Sequence, residues 1–289
     1  MTYPKYANCR DDFLKKGAAK TQVKNLFKLL VSGLLGGKLM NQNKLIISNN
    51  INEDDHLFRY ISLAQFISLI ENRKLYLKKI KLWDDPWEAP DDQLPLASDD
   101  GSLNNSESLI AASTVGQCWT YEKDSDAMWR IYSSDRQGIM IETTAKEFNL
   151  INNLRHASLA KIMYFNKNNY IEKRKEVKKN TSYSFAGDMA LKREAFKHES
   201  EVRLLVCLQD YQNEINDIWN IPVVGFDVKP DDFIKSITID PRADNWFVET
   251  MKNYCDSKNL KCPIEKSSLY KRNFFETTQF IKKWEVAKK

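Results

Sequence analysis

The stretch Leu57 to Glu88 (LFRYISLAQFISLIENRKLYLKKIKLWDDPWE) leaves the chain few folds to choose from. It opens on a strand-like run, Leu57 to Ile61. Ser62 stands where a helix N-cap belongs, its hydroxyl able to accept from a free amide of the first turn. Leu63, Phe66, Ile67 and Ile70 then recur at helical spacing and give one apolar face. Asn72 tolerates the left-handed conformation found where helices end. Leu75-Tyr76-Leu77 reads as a second strand. Pro86 biases Asp85 away from helical dihedrals, so Trp83-Asp84-Asp85-Pro86-Trp87-Glu88 is a rigid acidic turn set between rings. Strand, helix, strand and stiff turn in direct succession call for a domain that mixes the two kinds of element.

The rest of the chain continues the pattern. Lys44 to Ser48, Gly116 to Thr120, Ile139 to Glu142, Ala160 to Phe165, Glu201 to Leu208 and Ile234 to Asp240 read as strands. Met128, Trp129 and Tyr132 lie on a short helix after the polar turn Lys123 to Asp126. Phe185 to Phe196 and Trp246 to Cys255 read as helices, and Ala89 to Asn105 as an exposed loop. Short strands mixed with helices, without regular alternation and without repeats, predict an α+β fold. The expected organisation is a basic extension over residues 1–50 and a single mixed domain over 51–289 with a central cleft between short strands.

Charge supports that division. Residues 1–50 hold nine basic and two acidic side chains, so the remainder carries −2 of the net +5. A body-wide nucleic-acid surface is therefore not expected. Val23 to Met40 is the most apolar stretch, but Lys24, Lys28 and Lys38 interrupt it and the apolar part is too short to span a bilayer. An amphipathic helix outside the main domain is expected instead, packed on the body, self-associating or touching a membrane surface. The positive leader is too long for a signal peptide. Five scattered cysteines, Cys9, Cys118, Cys207, Cys255 and Cys262, form no C-x-x-C pair, and histidines number three. No metal site is expected, and the cysteine pattern fits a reducing cytoplasm.

Four constellations could carry chemistry. Arg59, beside Tyr60 at the end of the first strand, can present a fixed fork to a carboxylate or phosphate, or sit in a surface ion pair. Asp85 and Pro86 either fix a turn through backbone amides or orient a ligand. Trp129 and Tyr132, three apart on a helix, make either an aromatic wall or plain core. In the run Lys192-x-x-x-Phe196-x-x-Glu199-x-Glu201-x-Arg203, Glu199, Glu201 and Arg203 share one face if they share one strand, and a carboxylate there can act as base or stabilise a cation. An exposed ion-pair ladder is the alternative.

In the order and spacing of these blocks the chain resembles a bacterial family catalogued as domain of unknown function 2971. The matching residues are Phe58-Arg59-Tyr60, Trp83 to Glu88, Cys118-Trp119-Thr120, Met128-Trp129-Arg130-Ile131-Tyr132 ahead of Arg136-Gln137-Gly138, and Phe196 to Arg203. The resemblance runs over roughly residues 56–272, including the turn Asp240-Pro241-Arg242-Ala243. Asp84 replaces a usual Asn, and Phe196 a usual Trp. Members often occur in bacterial defence neighbourhoods, which implies an antiphage or toxin role. More distantly, a strand arginine, a helix, a Leu-x-Leu strand and a later strand glutamate look like the ADP-ribosyltransferase fold. That likeness implies NAD as substrate and a macromolecular acceptor. It implies Arg59 on the dinucleotide, with Tyr60, Tyr76, Trp129, Tyr132 and Arg203 around it, and Glu201, or failing that Glu199, as the catalytic carboxylate. Two other readings of the same cleft stay open: a metal-independent RNase, and a binding module that senses a nucleotide or phage component.

Overall fold

The computed structural model describes residues 45–88, 96–97, 103–104, 109–181 and 184–271. The chain divides into two units, residues 1–42 and 43–289, and all described residues belong to the second. The helix expected over Val23 to Met40, with its proposed self-association, and the tail from Phe280 lie outside the described residues. Among the described residues no helix is long and apolar enough to cross a membrane.

The strands are β1 (Leu45–Ile47), β2 (His56–Ile61), β3 (Lys74–Lys79), the two-residue pair β4 (Leu96–Ala97) and β5 (Leu103–Asn104), β6 (Thr114–Thr120), β7 (Ile139–Thr144), β8 (Ala157–Lys161), β9 (Met163–Phe165), β10 (Leu191–Arg193), β11 (Glu201–Cys207), β12 (Val223–Asp227), β13 (Ser236–Ile239) and β14 (Ile264–Lys266). One mixed sheet runs β1-β8-β11-β6-β2-β7-β13-β14, with β3 also on β6 and β12 on β3. Its two outer pairs, β1 with β8 and β13 with β14, are parallel, and its other pairs are antiparallel. Several helices pack on this sheet, so the α+β expectation holds.

β11 is the centre of the core: every one of its residues is buried. Val202, Leu204 and Val206 enter the main apolar cluster. There Trp119, Phe148 and Phe233 meet edge to face at 5.1–5.8 Å, the arrangement that aromatic quadrupoles favour. Leu205 and Cys207 point the other way, into a second cluster with Ile162, Ala186, Met189 and Leu191. A strand apolar on both faces must lie between layers, as the apolar run Glu201 to Leu208 predicts.

Local capping follows the sequence. Ser62 accepts from the Gln65 amide, and the Gln65 side chain accepts from the Ser62 amide, a complete capping box. The helix Leu63–Asn72 buries Phe66, Leu69 and Ile70, whereas Ile67 is 36% exposed. The left-handed residue that ends it is Arg73, one position beyond Asn72. Phe185 to Phe196 is not one helix. It divides into the helix Ser184–Met189, β10 and a 3-10 turn Glu194–Glu199.

The sheet forks beside β6. β11 pairs with β6 along its whole length, so β2 and β3 must share the opposite edge. β2 takes one end, Phe58 against Thr120. β3 takes the other, Lys78 against Gly116 and Lys79 against Val115. Gln117, Cys118 and Trp119 between them have no ladder partner on that edge. The Gln117 side chain fills part of the gap: its amide donates to the Tyr76 carbonyl at 3.0 Å and accepts from the Trp119 indole at 2.9 Å. At Gly116 the Trp83 ring lies so close that an added Cβ would sit 3.0 Å from it and 3.1 Å from Leu205. Gly116→Val should therefore lower stability by about 1–3 kcal/mol through overpacking, read as a lower urea midpoint.

Candidate functional site

β2 sends Leu57 and Ile61 into the main core, while Phe58 and Tyr60 pack with Met128, Trp129 and Met140 on the opposite face. Alternation puts the stem of Arg59 on the Leu57 side. Glu201, in register with Thr120 and through it with Phe58, belongs to the other face. An unbroken sheet would separate the two. The fork removes that wall, and Arg59, Glu199 and Glu201 all line one cavity of about 150 Å³, together with Cys118, Met128 and Tyr132. A second cavity of about 240 Å³ adjoins it, with Ser68, Lys74, Tyr76 and Gln117 in its lining. Arg59 and Gln65 line both.

Arg59 makes no hydrogen bond or ion pair with any described residue. Its electrostatic neighbours are the Cys118 thiol and the Tyr132 hydroxyl, and burial pushes its guanidinium down to about 10. It remains charged at neutral pH. A partly buried cation without a counter-ion is costly unless something else supplies the negative charge.

Glu199 and Glu201, in the lining of the first cavity, belong to a cluster of five charged side chains. Lys192, from β10, reaches Glu199 at 2.6 Å, Glu201 at 2.9 Å and Glu88 at 3.2 Å. Arg203 holds Glu201 with two nitrogens at 2.8 and 3.1 Å, and also meets Glu88 at 3.1 Å. Its remaining nitrogen donates to the Met189 carbonyl at 2.7 Å. Aromatic faces cover both cations, Trp83 over Arg203 at 4.7 Å and Phe196 over Lys192 at 4.9 Å. Burial alone would raise the Glu201 carboxyl, but Arg203 and Lys192 overcome it and hold it down to about 2. Glu88 is pushed the other way by burial, against the pull of Arg203 and Lys192. Burial lifts the Cys118 thiol well above its usual range, which leaves it a neutral neighbour.

The other expected site residues separate cleanly. Tyr132, 43% exposed, lines the first cavity, and Tyr76, 40% exposed, the second. Trp129 lies in neither lining. It is fully buried, stacks edge-on against Tyr60 at 4.8 Å and donates its indole N–H to Asp124 at 2.8 Å. Its place beside a ligand is corrected to core, because every face of the ring is already packed. Tyr60 lines the first cavity, but its hydroxyl is committed to the Glu122 carbonyl and the Ser125 amide. Glu199 is not on β11. It closes the 3-10 turn, and Ser200 follows at φ 42° before the strand begins at Glu201. The expected three-residue face reduces to Glu201 and Arg203.

Asp85 fixes its turn by accepting from the Trp87 amide at 3.1 Å and pairs with Arg193 at 3.1 and 3.2 Å. Pro86 opens the 3-10 turn that carries Glu88 inward. Glu88 and Lys192 are the members of the cluster to which sequence reasoning gave no role. The sequence does hold signals for both: Glu88 is the third carboxylate of the acidic turn, and Lys192 follows the apolar Ala190-Leu191. Arg242 was also missed. It pairs with Asp240 and donates to the Trp129 and Ser133 carbonyls at 2.9 and 2.8 Å, holding the end of the helix that presents Tyr132. No group of three His, Cys, Asp or Glu among the described residues is arranged to hold a metal ion.

Against this geometry, comparison with known proteins is informative over one segment. Residues 128–204 match the family described as protein of unknown function, DUF2971. That span contains Tyr132, Lys192, Glu199, Glu201 and Arg203, while Arg59 and the acidic turn precede it. No curated protein matches the chain. Among solved structures, Thermus sp. 2.9 DarT in complex with NAD+ is similar at 8% identity and a TM-score of 0.35, covering 75% of this chain and 98% of that one. The same protein with ADP-ribosylated ssDNA gives 10% identity and a TM-score of 0.35, covering 76% and 96%. With carba-NAD+ the values are 8%, 0.32, 74% and 96%. Likeness of this degree carries no argument about chemistry.

Two outcomes follow from the geometry. Asp85→Ala should cost about 1–2 kcal/mol, the usual loss for a side-chain-to-backbone bond at a turn or cap, measured by denaturant unfolding. The second concerns acid. Glu201 has a folded value below its unfolded one, so its contribution is present above the ordinary carboxylate range and is lost as pH falls from about 4.5 towards about 2. Glu88, shifted upward, offsets part of this at the upper end. A urea midpoint followed down through that window should fall more steeply for the wild type than for Glu201→Gln.

Proposed function

We propose that the forked cavity binds NAD and that the protein transfers ADP-ribose from it to a macromolecular acceptor, in bacterial defence or as a toxin. The observation that supports this reading is a single cavity lined by charges of both signs: the unpartnered Arg59 and the carboxylates Glu199 and Glu201. Such a cavity suits a ligand with an anionic and a cationic pole. In NAD the diphosphate supplies the first and the nicotinamide ring, bonded to a ribose, the second. Arg59 offers several N–H donors in a fixed fork to the diphosphate. Met128 and Tyr132 offer a sulfur and a flat face to the ring. The second cavity shares Arg59 and Gln65 with the first and is offered as the place for the rest of the dinucleotide.

The chemistry asked of these residues is electrostatic. As the bond between the ribosyl carbon and the ring nitrogen breaks, its electron pair leaves with the ring, which becomes neutral. Positive charge develops on the sugar, and preorganised carboxylates in a site shielded from water stabilise it. The acceptor's oxygen or nitrogen supplies the electron pair of the new bond and loses its proton.

Calorimetric titration with NAD, coupled to measurement of nicotinamide release, tests the reading. Wild-type protein should bind NAD, and Arg59→Ala should weaken binding about 10–100-fold, the loss of one charge-assisted contact of about 1.5–3 kcal/mol. Absence of binding and of nicotinamide release would overturn the proposal. Stabilisation by RNA oligonucleotides instead would favour the RNase reading.

A further inference from the structure

We infer that Glu199, and not Glu201, is the carboxylate that meets the ligand's developing positive charge, and that Glu201 is the anchor of the buried cluster. This rests on the transfer reading above and reverses the order in which the resemblance ranks the two carboxylates.

Three observations carry it. The first is how the carboxylate oxygens are occupied. Glu201 is 2% exposed. Its Oε1 accepts from Arg203 Nε, and its Oε2 from both Arg203 Nη2 and Lys192 Nζ. It borders the cavity as well, but three of its acceptor sites are already taken by buried cations. Glu199 gives only Oε2, to Lys192 at 2.6 Å, and its Oε1 accepts no hydrogen bond from any described residue. Its side chain is 11% exposed, and it lines the cavity.

The second is charge. Glu88, Glu199 and Glu201 share two cations, Lys192 and Arg203, so with all three ionised one buried negative charge is left over. A surplus charge with little water around it lowers stability, and of the three carboxylates Glu199 has the fewest partners. Arg59, in the lining of the same cavity, is the mirror case: a cation without an anion. A ligand with both poles satisfies the two together.

The third is how the backbone at Glu199 is held. Ser200 adopts the left-handed conformation, at φ 42° and ψ 50°, which costs a non-glycine residue energy and persists where surrounding contacts fix it. Those contacts come from the end of β6. The Thr120 hydroxyl donates to the Glu199 carbonyl at 2.5 Å, the Tyr121 amide donates to the Ser200 carbonyl at 3.1 Å, and the Ser200 hydroxyl donates to Glu122 at 2.5 Å. None of them uses the Glu199 side chain. Its carboxylate is therefore placed by the main chain and is not needed to hold it.

The test compares Glu199→Gln with Glu201→Gln in the full chain, by thermal melting and by nicotinamide release from NAD. Glu201→Gln should melt about 10 °C lower, since it leaves Arg203 buried with its main partner gone; failure to fold supports the same assignment. Glu199→Gln should melt within about 2 °C of wild type, since the amide oxygen can still accept from Lys192, which keeps two other carboxylate partners. It should release nicotinamide about 100–1000-fold more slowly, the usual loss when one preorganised electrostatic contact is removed, with NAD binding kept within a few-fold. If Glu199→Gln melts as low as Glu201→Gln, or turns over like wild type, the assignment falls. If wild-type protein neither binds nor cleaves NAD, the substrate reading fails while the order of the two melting temperatures still decides which carboxylate the fold depends on.

Discussion

Two charges on one buried strand set the terms for the rest of the molecule. β11 lies between two apolar clusters, and yet it carries Glu201 and Arg203 inside. Neither can be left unpaired there, and the pair alone does not saturate Arg203, whose guanidinium has donors to spare. The surroundings are arranged accordingly. β10 brings Lys192, the acidic turn brings Glu88, the helix Ser184–Met189 ends with the Met189 carbonyl in reach, and Trp83 closes over the guanidinium. Gly116 has no side chain because that ring needs the space.

The fork in the sheet turns this cluster from a packing solution into a site. With β2 and β3 holding only the two ends of one edge of β6, the middle of that edge opens to a cavity. Residues rooted on opposite faces of the sheet then line the same space. Gln117 shows how the opening is tolerated, since its side chain takes up hydrogen bonding where the ladder lapses. Arg242 acts at a distance. By gripping the carbonyls at the end of the Asp126–Tyr132 helix it fixes where Tyr132 stands at the cavity mouth.

Much of the fold was legible in the sequence because it rests on local rules. Ser62 and Gln65 announce their cap, alternation announces β11, and Pro86 announces a turn. The limits were equally physical. A single left-handed residue, Ser200, takes Glu199 off the strand, and nothing in its hydroxymethyl side chain signals that conformation. Trp129 and Tyr132 share a helix and a spacing, yet one is core and the other faces the cavity, a difference set by what packs above them. Arg59 and Glu201 should lie on opposite faces by periodicity. Their meeting in one cavity depends on the number of ladder pairs between β2 and β6, which no local pattern encodes. Lys192 had no assigned role because its three partners come from two other segments of the chain.

The strand order also governs when the molecule can exist at all. Leu45 finds its partner only at Ala157, Arg59 lies opposite Ile141, and β11 must slot between β6 and β8, both of which precede it in the chain. Contacts of such long sequence separation form slowly. During synthesis the early strands wait unpaired until the later ones leave the ribosome, and the last charges of the cluster arrive with β11. A chain that stops before Glu199 holds Arg59, Glu88 and Lys192 but neither of the carboxylates that line the cavity, Glu199 and Glu201. The cavity is therefore complete only once β11 has been made and has taken its place between β6 and β8.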